Sequence, residues 1–292
     1  MKALVTGGGG QLAKALRRTA AEEYELSMHS IETLDITDSD QVEEIVNLVR
    51  PDVIINTAAY TDVDGAETDR KVAAVVNGNG PGILADAAER HGSSLIHVST
   101  DFVFDGSSSG PLKTDDPTNP VSTYGRTKLD GESAIIDSAL QRWTIVRTAW
   151  LYDETSPNFL SAMIRMMEAN DEIRVVSDQT GTPTRSKSLA IALWCIAEGG
   201  VVGMHHWTDA GSTTWHGFAT AIEEIGFEYG LFTSRTKVEP ISTEEYPTPA
   251  RRPSYSVLDK TNTWSALDGT RAMPAVHWRD NLENTIREKI RV

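Results

Sequence analysis

Tyr124 and Lys128 lie four positions apart in the run Tyr-Gly-Arg-Thr-Lys, downstream of a hydroxyl pair, Ser99-Thr100, that ends an apolar segment. On a helix this spacing places the phenol and the ammonium one turn apart on one face. A phenol has a reference pKa of about 10 and is a poor acid–base group unless a neighbour helps it. An ammonium one turn away stabilises the phenolate and lowers that value. Tyr-x-x-x-Lys also recurs by chance on exposed helix faces, so the pair gains meaning from its company. Thr100 or Ser99 stands at the carboxyl end of a predicted strand, 95–99, where open α/β sheets place their ligands. Either hydroxyl there can polarise a carbonyl; a local turn or cap would use the same residue types.

A second chemical signal opens the chain. Gly7-Gly8-Gly9-Gly10-Gln11-Leu12-Ala13 has the spacing Gly7-x-x-Gly10-x-x-Ala13, between a predicted strand at 2–5 and a predicted helix at 11–23. Glycine lets the backbone turn sharply and approach a pyrophosphate, and the N–H groups of the following helix, from Gln11 and Leu12 on, supply positive potential. The position favours a dinucleotide loop over a plain strand-to-helix turn. An acidic residue at the end of the second strand would favour NAD(H). Here the stretch reads Ser27-Met28-His29-Ser30 with no carboxylate, which favours NADP(H), with NAD(H) as the alternative because no arginine follows. Asp35-Ile36 falls beside the expected adenine, although Asp35 could equally cap the next helix. A nicotinamide brought to Tyr124 would, when oxidised, add positive charge beside the phenol.

These groups need a scaffold. Apolar runs at 2–5, 24–28, 53–56, 95–99 and 143–148 alternate with helical patterns at 11–23, 39–49, 81–91 and from 124 onward, with an irregular stretch at 105–122. Strands that are apolar throughout indicate a parallel sheet covered on both faces. The expectation is an α/β fold: a Rossmann-type doubly wound parallel sheet over residues 1–150, binding NAD(P). Residues 151–292 read as a smaller α/β substrate-binding region, partly interwoven with the first, with helices at 158–169, 186–198 and 215–226 and strands at 173–176 and 202–207. No stretch is long and apolar enough to span a membrane. The N-terminus reaches its glycines too early for a signal peptide. Cys195 is the single cysteine of the 292 residues, which excludes an internal disulfide and makes a reducing, cytoplasmic location the expectation. A formal charge of −15 opposes nucleic-acid binding, and an anionic ligand would need positive charge gathered at its site.

Taken together, these pieces resemble the extended short-chain dehydrogenases, and among them the dTDP-4-dehydrorhamnose reductase family. The resemblance runs through the Gly7–Ala13 loop, the segment Arg50 to Asp64 with Ala58-Ala59-Tyr60, Ser99-Thr100-Asp101-Phe102-Val103-Phe104, and Tyr124–Lys128 with Gly131-Glu132. It continues through Arg147-Thr148-Ala149-Trp150-Leu151-Tyr152, Asp178 to Thr184, and Tyr246-Pro247-Thr248-Pro249-Ala250-Arg251-Arg252-Pro253. It implies that Tyr124 donates a proton, that Lys128 binds the nicotinamide ribose and tunes Tyr124, and that Thr100 orients a sugar carbonyl. Ala58, Ala59 and Tyr60 would border the cofactor. Asn77 would support the water network of the lysine, a buried structural amide being the other reading. Asp101, Phe102 and Trp150 would flank the sugar, and Arg251 and Arg252 would face a nucleotide diphosphate. The implied reaction reduces the 4-keto group of a nucleotide-linked 6-deoxy sugar, dTDP-4-dehydro-L-rhamnose, to dTDP-L-rhamnose.

Some relatives dimerise around magnesium held by carboxylates. This chain has Ala15 and Lys187-Ser188 at the matching places, so a monomer or a homodimer without a magnesium-linked interface is expected. Adjacent residues of a strand diverge, so His205-His206 makes no metal pair, and His97 lies within a core strand; no metal is expected. Two other readings stay open. One is a different nucleotide-sugar reductase or epimerase. The other is a non-catalytic NADP-binding regulatory subunit, against which the joint presence of Thr100, Tyr124 and Lys128 argues.

Overall fold

Short apolar runs too brief for helices alternate with amphipathic stretches along the first half of the chain, and each forms the element its period favours. The computed structural model describes residues 1–291. Its first half contains β1 (Lys2–Thr6), α1 (Gln11–Thr19), β2 (Glu25–His29), α2 (Ser39–Val49), β3 (Val53–Asn56), α3 (Arg70–Ala73), a π turn (Ala74–Asn79), α4 (Gly80–His91), β4 (Ser94–Thr100), α5 (Thr123–Ile136) and β5 (Trp143–Thr148). The second half adds β6 (Leu151–Tyr152), α6 (Phe159–Ala169), β7 (Glu172–Val176), β8 (Thr180–Gly181), β9 (Thr184–Arg185), α7 (Ser186–Gly199), β10 (Gly203–His206), β11 (Thr213–Thr214), α8 (Trp215–Glu228), β12 (Lys237–Ile241), α9 (Thr261–Ala266) and α10 (Trp278–Ile290).

The main sheet has the order β10-β5-β4-β3-β1-β2, with every pair parallel. From β1 the chain moves outward to β2, then returns to the other side of β1 for β3. The strand order therefore reverses between β1 and β3, and a crevice opens there beyond the carboxyl ends of the strands. One face is covered by α1 and α7, through Leu12, Leu16, Leu193 and Trp194. The other is covered by α2, α4 and α5, through Val42, Val46, Leu84 and Ile135. Both α7 and β10 come from beyond residue 150, so the later part of the chain completes the first sheet. A separate core joins α6, β7, α8 and α10 around Met163, Phe218, Ile222 and Leu282.

Local chemistry sets many of the boundaries. Asp38 caps α2 by accepting from the N–H groups of Asp40 and Gln41, and Arg50 ends it in the left-handed region just before Pro51. Asn158 and Ser161 cap α6 reciprocally. The first helix stops at Thr19 rather than at 23, because Ala20 turns extended and the residues after it bring no apolar face to the sheet. β12, α9 and α10 were not anticipated. β12 contains Pro240, which disqualifies a central strand, but it pairs only with β7 at an edge. α10 has a polar sequence whose buried stripe is just Trp278, Leu282 and Ile286 with Asn281 and Thr285.

Two consequences are measurable. Leu16 is fully buried where α1 meets α7, and its carbonyl accepts from the Trp194 indole at 3.2 Å. Leu16→Ala is expected to cost about 2–5 kcal/mol, read as a lower midpoint of thermal unfolding. Asp209 is buried, accepts from the Arg185 N–H at 3.0 Å and the Ser188 hydroxyl at 2.6 Å, and is pushed up to about 6 by burial. Its folded value is raised, so its contribution is full at low pH and is lost as pH rises through about 6. Asp209→Asn keeps an acceptor and removes the charge. Unfolding midpoints at pH 5 and 7.5 should differ less in this variant than in the parent chain.

Candidate active site

At the end of β1 the chain turns at Gly7, with φ +70°. A Cβ there would sit 2.7 Å from the backbone nitrogen of Ala58, so the first turn and the loop after β3 touch through bare backbone. Gly10 then precedes α1 with no side chain to cap it, which leaves first-turn N–H groups without a side-chain acceptor. Gln11 reaches across to donate to the Leu151 carbonyl at 3.2 Å, joining this loop to the second half. Gly9, Gly10, Gln11 and Leu12 line a cleft of about 620 Å³. Its wall continues through Ala59, Thr100, Asp101, Phe102, Tyr124 and Lys128 to Trp150. An open glycine turn and an uncapped helix end facing a long cleft fit the pyrophosphate of a dinucleotide.

Thr100 ends β4. Its hydroxyl donates to Asp101 Oδ1 at 3.0 Å and accepts from the Phe102 N–H at 3.2 Å. Tyr124 lies in the first turn of α5, which Ser122 caps, and its ring meets Phe102 edge-on at 5.6 Å. Burial pushes the phenol up to about 12; the Thr100 hydroxyl works against this, and Asp101 adds to it. The Tyr–Lys spacing predicts a lowered phenol. The structure differs because Lys128, itself buried, turns its Nζ away onto the Val98 carbonyl at 2.7 Å and the His97 ring at 3.1 Å. Burial brings Lys128 down to about 8 and Asp101 up to about 6.

Trp150 adopts φ +46°, unusual for a bulky residue, and stacks on Trp215 at 3.6 Å with the rings 9° from parallel. Together with Phe102 and Arg252 this pair separates the long cleft from a second pocket of about 370 Å³, lined by Phe159, Met163, Val175, Gln179 and Tyr246 among others. Arg252 is held by Asp64 at 2.8 Å and by the Ala250 carbonyl at 3.0 Å. It therefore ties the 246–253 loop to the loop after β3.

Several expected residues sit elsewhere. Arg251 is exposed and lines neither pocket. Asp35 accepts from the N–H and hydroxyl of Thr37 in a local turn, and Ile36 packs in the core; neither lines the cleft. Tyr60 directs its hydroxyl to Asp69 at 3.0 Å. Asn77, carried by the π turn, donates to the Tyr60 carbonyl at 3.0 Å and Thr127 Oγ1 at 3.2 Å, and accepts from the Tyr60 N–H at 2.8 Å. It clamps the loop after β3 to α5 as a buried amide. Ala58 lies half-buried behind Ala59.

Other residues were not foreseen. Trp215 opens α8, and no spacing in the sequence links it to Trp150. Arg17 on α1 brings its guanidinium 3.1 Å from the Met28 sulfur of β2. Lys14, also on α1, lines the cleft. Among the described residues no cluster of three or more His, Cys, Asp or Glu side chains is placed to hold a metal. Ala15 is in the core, Lys187 pairs with Glu288 at 3.2 Å and Ser188 donates to Asp209.

Comparison with known proteins agrees with this architecture. The family described as RmlD substrate binding domain matches residues 1–290. A dTDP-4-dehydrorhamnose reductase of Burkholderia thailandensis is 41% identical over 271 residues, covering 88% of this chain and 90% of that protein. A crystal structure of a dTDP-4-dehydrorhamnose reductase from Clostridium acetobutylicum superposes with a TM-score of 0.92 at 36% identity, covering 100% of both chains. A second, from Bacillus anthracis in complex with NADP, gives a TM-score of 0.91 at 35% identity, over 98% of this chain and 99% of that one. With the family match over residues 1–290 and similarity to these relatives along nearly the whole chain, the protein belongs to the RmlD substrate binding domain family.

Proposed function

We propose that the protein reduces the 4-keto group of dTDP-4-dehydro-L-rhamnose to give dTDP-L-rhamnose, using NADPH, in the cytoplasm. The observation that carries this reading is the meeting of two compartments at one wall. Thr100 and Tyr124 stand in the long cleft that starts at the glycine turn, and the second pocket opens just beyond Phe102 and Trp150. A dinucleotide and a nucleotide sugar laid along these spaces would bring their reactive ends together there. The relatives named above as dTDP-4-dehydrorhamnose reductases, one of them in complex with NADP, support the choice of substrate and cofactor.

Bound NADPH supplies the hydride, and the chain supplies position and a proton. The Gly7–Gly10 turn and the first N–H groups of α1 would hold the pyrophosphate, with Arg17 near the end of β2 available to a 2′-phosphate. Lys128 would hold the nicotinamide ribose. As charge develops on the carbonyl oxygen, Tyr124 donates its phenolic proton to that oxygen, breaking its own O–H bond. With the phenol pushed up to about 12, Tyr124 is protonated at neutral pH and ready to act as the acid. Thr100 steadies the same oxygen by hydrogen bonding. Trp150 and Trp215 give the sugar a flat apolar wall. Arg252 offers positive charge where the sugar-linked diphosphate would pass, in a chain that is otherwise strongly acidic.

Oxidation of NADPH, followed by absorbance with enzymatically generated dTDP-4-keto-6-deoxy sugar and the partner epimerase, tests the reading directly. Tyr124→Phe should bind NADPH normally and lose about 10²–10⁴-fold in turnover; near-normal turnover would remove Tyr124 from the chemistry. Arg252→Ala should raise the KM for the sugar nucleotide by roughly tenfold or more and leave NADPH affinity unchanged. A variant with normal KM would place the diphosphate elsewhere.

A further inference from the structure

The parallel register sets Thr6 and Asn56, the last residues of β1 and β3, side by side with His97 in the middle of β4. Equal register puts their side chains on one face of the sheet. All three are buried, and none lines the cleft. They form a continuous row: Thr6 Oγ1 to Asn56 Oδ1 at 2.6 Å, Asn56 Nδ2 to His97 Nδ1 at 2.9 Å, and His97 Nε2 to Lys128 Nζ at 3.1 Å.

The direction of the protons along this row follows from one unambiguous donor. The Ala58 N–H lies 3.1 Å from Asn56 Oδ1, and an N–H can only donate. The carbonyl oxygen of the amide must face it, so the amide NH₂ faces His97. His97 Nδ1 is then an acceptor without a proton. Burial first, and Lys128 second, hold this imidazole well below its ordinary range, so it is neutral and carries its single proton on Nε2. That proton points at Lys128. An ammonium would set donor against donor, whereas a free amine accepts from Nε2–H and still donates to the Val98 carbonyl.

We propose that Asn56 and His97 are positioning residues acting through Lys128: the row aims an N–H at Nζ and so sets the pH at which the lysine gains its proton. The charged or titratable groups around Lys128 are His97 on β4 and, on its own helix, Tyr124 and Glu132. Arg147 on β5 is held by Glu132 at 2.7 Å. Burial opposes the ammonium and Glu132 favours it. A group that gains its proton near neutral pH can hold a ribose hydroxyl either as donor or as acceptor. The proposal rests on the assignment of Lys128 to the cofactor only in its second readout below.

The first readout is the histidine itself. Nitrogen NMR of ¹⁵N-histidine-labelled protein, with the His97 signal identified by its loss in His97→Gln, should show a bare Nδ1 and a protonated Nε2. The reverse tautomer overturns the proposal. The second uses Asn56→Asp, which offers only acceptors to its neighbours. His97 must then protonate Nδ1 and present a lone pair to an ammonium. The tautomer should reverse, and the pH above which NADPH affinity falls should rise by about one unit or more, a tenfold difference in proton affinity. His97→Gln, whose amide can turn its oxygen to Nζ, should move the same limb upward and serves should Asn56→Asp not fold. A limb that stays in place in the folded variants overturns the coupling to Lys128. Neither readout involves the sugar, so absence of turnover with the keto sugar would count against the reductase reading and leave this inference standing.

Discussion

The position of the wall that carries Tyr124 and Lys128 depends on one buried ion pair. Arg147 at the end of β5 binds both oxygens of Glu132 on α5, with contacts of 2.7 and 3.0 Å, and both side chains are almost entirely out of water. Ser99, beside Thr100, donates to the same carboxylate, and the Arg147 guanidinium lies over the Phe104 ring at 5.1 Å. Burying two charges is costly, and the cost is offset only when the pair is well aligned and its remaining hydrogen-bond positions are filled. Here they are filled by groups from β4, β5 and α5, so the pair has low energy in one relative placement of helix and sheet. Gly131, next to Glu132, allows that placement: a Cβ there would meet the Asn77 carbonyl at 2.1 Å. The Gly-Glu doublet after the Tyr–Lys pair is thus a docking device. It fixes α5 against the strand whose last residue is Thr100.

What was legible in the sequence follows from the range of the forces involved. The glycine turn, the alternation of strands and helices and the Thr100–Tyr124–Lys128 set depend on short-range rules: φ at a glycine, one helical turn, the end of an apolar strand. These could be read without knowing the rest of the fold. The surroundings of other residues depend on contacts that spacing does not reveal. Asp35, read as lying beside an adenine or as capping the next helix, accepts from the N–H and hydroxyl of Thr37. Arg251 and Arg252 are alike in sequence, and only the fold decides that one meets Asp64 while the other faces solvent. Trp215 reaches Trp150 from 65 positions away, and no signal in the sequence marks the π turn at Ala74–Asn79. That turn shifts the helix by a residue and aims Asn77 sideways into the β3 loop, as insertions of this kind often do near functional sites.

The net charge of −15 poses a problem for any anionic ligand, and the fold answers it by placement. Much of the acidic excess is on exposed helix faces and turns, where salt screens it within about 10 Å. The basic residues that line the two pockets are few: Lys14, Lys128, Arg174 and Arg252. Two are already engaged by carboxylates, Arg252 by Asp64 and Arg174 by Glu245 at 2.6 Å. Such pairing keeps a long side chain ordered in advance and lowers the entropy lost when a phosphate arrives. It also weakens attraction at long range. The arrangement favours accurate seating of a ligand over fast capture.

Inside the cleft the titratable groups follow one trend. Tyr124 is pushed up to about 12, Asp101 up to about 6 and Lys128 down to about 8, in every case chiefly by burial. Each shift favours the uncharged form, as removal from water does. Charge developing on a carbonyl oxygen that receives a hydride would be met there by hydrogen-bond donors already in place. The same low polarity makes an ionised tyrosine unfavourable afterwards, so proton return to Tyr124 must follow closely. The fold thus suits a reaction in which hydride and proton are delivered to the two ends of one carbonyl, and leaves little room for a lasting separated charge.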